Sequence, residues 1–234
     1  MNSNRPHEVE DRLVSIPVDA VTLEGNLSIP AGAEGIVLFA HGSGSSRHSP
    51  RNRFVAQTLR DGGLATLLID LLTSDEEAID VRTRKFRFNI DLLARRLVGV
   101  TDWLAAYPET KNLYIGAFGS STGAAAALMA ASERPELVYA VVSRGGRPDL
   151  AAGHLSNVEA PTLFIVGGHD FTVLQLNQEA YKELRGEKKL EIVPRATHLF
   201  EEPGSLEKVA RLARDWFVGH LVHVSTVQYA SGRR

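Results

Sequence analysis

The stretch Leu113-Tyr-Ile-Gly-Ala-Phe-Gly-Ser-Ser-Thr-Gly-Ala-Ala-Ala-Ala-Leu128 constrains this chain more than any other. A short apolar strand runs through Gly119-Ser120-Ser121-Thr122-Gly123 into an alanine-rich helix. A Gly-x-Ser-x-Gly turn between strand and helix has the form of a nucleophile elbow. Its glycines let the backbone crowd through a tight, strained turn, which lifts the Ser121 hydroxyl clear of the sheet. The helix that follows aims its N-terminal amides at the place where negative charge would develop on a substrate. The pentapeptide alone also fits an ordinary turn. The flanking strand and helix are what point to a nucleophile.

The rest of the chain supplies a sheet for that turn. Leu13 to Pro17 and Val21 to Ile29 read as two short strands, the second partly alternating as a strand with one wet face should. Gly35 to Ala40 and Leu64 to Leu72 are continuous apolar runs, the mark of strands covered on both faces. Between them, Ser49 and Pro50 suit an N-cap and first helical position, and Gly62-Gly63 stops the helix. Thr73 to about Lys85 is highly charged without a clear period, which predicts a surface excursion near the site. Phe86, Ile90, Leu93, Leu97, Val100 and Leu104 share one helical face before Pro108. After the elbow, Val138–Ser143, Pro161–Gly167 and Lys189–Val193 read as strands. Helices are expected around Leu174 to Leu184 and from about Ser205 to Leu221. Strands alternating with helices from residue 35 onward predict one doubly wound α/β domain with a mostly parallel sheet. Residues 1–10 and 223–234 are expected to be loose tails.

Composition narrows the function. An apolar fraction of 44% with 23% charged residues over 234 residues suits a single soluble globular domain. A formal charge of −2 gives no reason to expect nucleic acid or an anionic membrane as partner. With no cysteine, disulfides, thiolate metal sites and a cysteine nucleophile are excluded. The eight histidines lack metal-ligand spacing, so neither a metal nor another cofactor is expected. The polar N-terminus has no secretory core region and no apolar run is long enough to span a bilayer, so a cytoplasmic protein is expected.

In a sheet of this kind, function collects in loops beyond the carboxyl ends of the strands. One such loop holds Ser121. A second, Gly167-Gly-His-Asp170, ends a buried strand with a histidine and an acid, and a third, Val193-Pro-Arg-Ala-Thr-His198, follows the last strand. The chain order Ser121, Asp170, His198 suits a strand-turn-helix nucleophile with its acid and base on later strands. Histidine would take the serine proton and return it to the leaving group, while the carboxylate holds the imidazole tautomer. Bland readings stand beside these. Asp170 suits the N-cap of the next helix, His198 suits a loop histidine satisfied by Glu201 or Glu202, and His169 competes as the base.

An oxyanion hole needs two backbone donors, one after the nucleophile and one from an early strand's loop. Thr122 N–H is the first candidate, and Ser43 N–H, in His41-Gly-Ser-Gly44, the second. That loop lacks the third glycine of Gly-x-Gly-x-x-Gly and the Gly-Lys-Ser/Thr of a P-loop, which weakens a phosphate-cradle reading. Arg144, in Val142-Ser-Arg-Gly-Gly-Arg-Pro-Asp149, is either a substrate-binding guanidinium for a carboxylate or other anion, or a structural ion-pair partner. Arg47, Arg51 and Arg53 read as a solvated helix face or rim.

The elbow, His41-Gly-Ser-Gly44, Gly-Gly-His-Asp170 and Ala196-Thr-His-Leu-Phe-Glu-Glu-Pro-Gly204 together resemble the dienelactone-hydrolase-like branch of the α/β-hydrolases. The similarity runs from about residue 12 to 221 and includes Ser143-Arg-Gly-Gly-Arg-Pro-Asp-Leu150 and the stretch from Asp70. It is closest to bacterial hydrolase domains found alone or fused to a phosphoribosyltransferase domain. The resemblance implies an α/β-hydrolase fold of about eight strands with little or no lid domain. It maps the nucleophile to Ser121, the acid to Asp170 and the base to His198. Dienelactone hydrolases proper use a cysteine nucleophile, and this chain has none, which favours a more general carboxylester hydrolase. The 234 residues hold no phosphoribosyltransferase domain, so that activity is not expected. The expected function is therefore a serine esterase acting on a small carboxylic ester through an acyl-enzyme. The alternatives are acyl transfer by the same triad, or a non-catalytic binding protein on the same fold.

Overall fold

The computed structural model describes residues 11–222; the expected tails, 1–10 and 223–234, lie outside the described residues. Eight strands form one sheet in the order β1-β2-β4-β3-β5-β6-β7-β8. β1 (Arg12–Val18) and β2 (Val21–Ser28) make an antiparallel hairpin, and β2 runs antiparallel to β4 (Ala65–Ile69). β3 (Gly35–Ala40), β5 (Tyr114–Ser120), β6 (Val138–Arg144), β7 (Thr162–Gly167) and β8 (Lys188–Val193) continue the sheet in parallel. The fold is that of an α/β-hydrolase, as the sequence resemblance implied. β3 sends its chain one way to β4, while β5 lies on its other side. The crevice at this reversal is where an open α/β sheet binds its ligand. The loop after β3 begins at His41 and the turn after β5 holds Ser121.

Two layers of helices cover the sheet. α3 (Ile90–Ala106) and α4 (Thr122–Glu133) bury Leu93, Leu97, Leu104 and Leu128 with Ile36, Leu38 and Ile115 on one face. α1 (Pro50–Asp61) and α6 (Ser205–Leu221) bury Val55, Leu59, Val209 and Phe217 with Phe39, Phe118 and Val142 on the other. Every residue of β3, β4 and β7 is buried, in keeping with strands covered on both faces. The alanines of α4 let that helix lie close to the sheet. All ten residues from Thr122 to Ala131 are buried.

α1 begins as its sequence predicts, with Ser49 as N-cap accepting from Asn52 N–H and Pro50 in the first turn. Three elements differ from expectation. Residues 73–85 are not an irregular excursion, because Ser74–Thr83 forms a helix, α2, opened by a full capping box between Thr73 and Glu76. Thr-x-x-Glu is a recognised start signal, but the helix lacks an apolar stripe and Asp80 is its one buried residue. α3 starts at Ile90, not Phe86, because Asn89 caps Leu92 N–H. Pro148–Asn157, unassigned in the sequence, forms 3-10 turns that pack Ala151 and Leu155 inward. α5 (Phe171–Glu183) completes the set, starting directly after Asp170. Among the described residues no helix is long and apolar enough to cross a membrane.

Candidate active site

Ser121 has φ 51° and ψ −121°, a conformation that L-residues rarely adopt. The turn is held by Ser121 N–H donating to Arg144 C=O at 3.2 Å and by Arg147 N–H donating to Ser121 C=O at 3.0 Å. The flanking glycines are required by contact as much as by conformation. A Cβ on Gly119 would lie 2.3 Å from Ala124 Cα, and one on Gly123 would lie 2.4 Å from Ala40 C=O. Ser121 occupies the N-cap position of α4, so Thr122 N–H is a first-turn amide with no intrahelical acceptor.

Asp170 and His198 come together from the ends of β7 and β8, with His198 Nδ1 to Asp170 Oδ2 at 2.7 Å. Asp170 does sit at the N-cap of α5, yet its side chain makes no capping bond and is turned to the imidazole instead. Glu201 and Glu202 do not satisfy His198. Glu201 pairs with Arg51, and Glu202 accepts from Thr197 N–H and Oγ1. His169 donates its backbone N–H to Ala196 C=O, and its ring lies beside Phe171. His198 is placed against the elbow through Gly145: a Cβ there would stand 3.5 Å from His198 Nδ1, and Gly145 follows the residue that bonds Ser121. No hydrogen bond joins Ser121 Oγ to His198 here, and such contacts commonly tighten only in the substrate complex.

The loop after β3 is anchored heavily. His41 Nδ1 lies 2.9 Å from Gly42 C=O, and His41 Nε2 accepts from Leu71 N–H at 3.1 Å. That pattern is the neutral tautomer with the proton on Nδ1. Burial lowers the His41 pKa accordingly, against the opposing pull of Gly42 C=O and Asp70. Arg47 is not a solvated rim residue: it pairs with Asp70 and Glu24 and donates to Asn26, tying the loop to β2 and the end of β4. Ser43 N–H is already engaged, donating to Thr122 Oγ1 at 3.0 Å. Ser43 Oγ lies 2.9 Å from both Thr122 Oγ1 and Arg87 C=O. Arg87 in turn is gripped by buried Asp80, which takes the Phe86 and Arg87 amides and the Arg87 guanidinium. Burial would raise the Asp80 pKa, but these donors outweigh it and hold the carboxyl below its ordinary value. The loop also borders an open cleft of about 840 Å³ shared with the start of α2. Acidic groups on that cleft include Glu24, Asp70, Asp75 and Glu77.

Arg144 makes no ion pair with any described carboxylate, and its Nε is buried without a hydrogen-bond partner. It is 7% exposed, and its guanidinium lies 5.8 Å from the centre of the Phe200 ring. Among the described residues no group of three or more His, Asp or Glu side chains converges on a metal position.

The dienelactone hydrolase family model matches residues 23–217, spanning the elbow and both partner loops. The chain belongs to the dienelactone hydrolase family. A dienelactone hydrolase from Anabaena variabilis is 62% identical and superposes with a TM-score of 0.91, covering 92% of this chain and 100% of that one. Est1E from Butyrivibrio proteoclasticus, 16% identical with a TM-score of 0.74 over 88% of this chain and 98% of its own, shares the fold. A Mycobacterium tuberculosis H37Rv protein carrying the provisional name phosphoribosyl transferase is 56% identical over 213 residues, 91% of this chain. The chain spans about half of that relative, 47% of its length. Family membership places the chain among hydrolases of the α/β fold.

Proposed function

We propose that this dienelactone hydrolase family member is a serine carboxylester hydrolase working through Ser121, His198 and Asp170. The observation that carries the reading is the 2.7 Å His198–Asp170 pair set against a strained elbow serine. Ser121 Oγ attacks the acyl carbon while His198 Nε2 takes its proton. Asp170 holds the Nδ1 proton of the imidazole and stabilises the imidazolium. Thr122 N–H receives the developing oxyanion. Ser43 N–H joins it once it exchanges Thr122 Oγ1 for the substrate oxygen. His198 then returns the proton to the departing alcohol, and water repeats the sequence to release the acid. The absence of cysteine leaves Ser121 as the elbow nucleophile, and esterases among the structural neighbours support an ester substrate.

Intact mass after exposure to a fluorophosphonate, with peptide mapping, tests the reading. One adduct on Ser121, absent from Ser121→Ala, is the expected result, with turnover of a 4-nitrophenyl ester falling by about 10⁴-fold or more in that variant. Folded protein that takes no label would instead support a non-catalytic binding protein.

A further inference from the structure

Arg144 ends β6 beside the elbow, in register with Ser120. Ser120 Oγ donates to Asn52 of α1, and Val142, two residues before Arg144, packs in the α1–α6 core. The period of a strand therefore places the Arg144 side chain on that same face. There it meets Phe200 and pairs with no carboxylate among the described residues, and its Nε is sealed from solvent without a hydrogen-bond partner. Arg51, in the first turn of α1, adds like-charge repulsion to the larger effect of burial, and together they push Arg144 down to about 10. It stays protonated at neutral pH all the same. Arg51 Nε is likewise buried and unpartnered, while its other end reaches exposed Glu201 at 3.3 Å. The first turn of α1 adds little of its own, since Pro50 has no N–H and the Asn52 and Arg53 amides are bonded to Ser49.

Buried charges in folded proteins are paired, because an unpaired one forfeits its hydration without return. Here two guanidiniums each bury an Nε without a partner, and among the described residues the ion pair they make is that of Arg51 with exposed Glu201. We propose that Arg144 and Arg51 form an oxoanion-binding site, with Phe200 as its apolar wall, that takes a carboxylate or phosphate group. A planar guanidinium offers such a group two parallel donors. The anion has two possible sources: a free ion, or an acidic substituent carried by the ester. Only the second rests on the Ser121 reading. The site adjoins the triad through the backbone, since Arg144 C=O holds Ser121 N–H and Gly145 lies against His198.

Two measurements in low-salt buffer separate the sources. Calorimetric titration with inorganic phosphate and with acetate needs no turnover. Kinetics compare 4-nitrophenyl hydrogen glutarate with 4-nitrophenyl butyrate, after fluorophosphonate labelling has established whether Ser121 reacts. Saturable binding of a free anion, weakened about tenfold or more in Arg144→Met, supports a free-ion site. A drop of about tenfold or more in the glutarate-to-butyrate ratio of kcat/KM in Arg144→Met supports a substrate-borne anion. In either case Arg144→Lys should recover part of the effect. Wild-type protein that binds neither ion and shows no preference for the acidic ester overturns the proposal without any variant. Binding or preference unchanged in a folded Arg144→Met also overturns it. Should Arg144→Met fail to fold, Arg51→Met serves the same comparison. If Ser121 takes no label, the ester reading fails alone and the titration still decides the anion site.

Discussion

At Ser121, backbone strain and the proposed chemistry fall on the same residue. A non-glycine side chain at φ 51° and ψ −121° costs about 1–3 kcal/mol, sustained because the surrounding hydrogen bonds over-determine the turn. Ser121→Gly should therefore raise the melting temperature relative to Ser121→Ala, by about 2–4 °C per kcal/mol recovered, though neither turns over ester. Equal melting temperatures for the two would show that the elbow stores no strain. Arg144 carries a different burden. Its lowered pKa corresponds to an order of 3 kcal/mol against the charged state. Arg144→Met should therefore stabilise the protein in anion-free buffer, and a lower melting temperature there would mean that the guanidinium has a partner at home.

α2 illustrates how an element with almost no core can still matter. Asp80, 0% exposed, binds two amides and the Arg87 guanidinium, and Arg87 C=O receives the Ser43 hydroxyl beside Thr122. The helix thus reaches the elbow through hydrogen bonds, where α3 and α4 act through apolar packing. Asp80→Asn strips the partner from a part-buried guanidinium and should cost about 2–4 kcal/mol, read by chemical denaturation at pH 7. The pH dependence follows from the depressed Asp80 pKa. Its contribution is complete above the unfolded carboxyl value and is lost as pH falls through the lower folded one. The wild type should lose more stability than Asp80→Asn on acidification through that window. Parallel curves would remove Asp80 from the account. The Thr73-x-x-Glu76 signal was present in the sequence, but amphipathic periodicity was not, because the buried face of this helix is a single carboxylate.

Across the whole molecule, one sheet serves two cores. Alternate residues of β3 and β5 feed opposite faces, Leu38 and Ala117 into the α3–α4 core and Phe39 and Phe118 into the α1–α6 core. Neither core can be lost without exposing strands that the other needs, so the chain should unfold as one unit. The two tryptophans report on it from opposite sides: Trp103 packs on the first core and Trp216 on the second. Single-tryptophan variants, Trp103→Phe and Trp216→Phe, should show coincident denaturant profiles after correction for each variant's own stability. Separate transitions would divide the chain into two folding units.

Much of this architecture was legible in the sequence because its signals are local. Apolar runs give buried strands, Ser49-Pro50 starts α1, Gly62-Gly63 ends it, and a Gly-x-Ser-x-Gly turn needs its glycines within a few residues. The order of strands and helices then limits the sheet to few topologies, and the loops holding Ser121, Asp170 and His198 fall at its carboxyl edge. Tertiary structure alone decided the rest. Asp170 turned to His198 and left its own helix uncapped, Ser43 N–H met a hydroxyl from far along the chain, and Asp80 was buried with Arg87. Arg144 was buried with its Nε unpartnered. Pairing and burial of polar groups depend on which side chains the closed sheet brings together. That is a property of distances through space, which no local pattern of residues encodes.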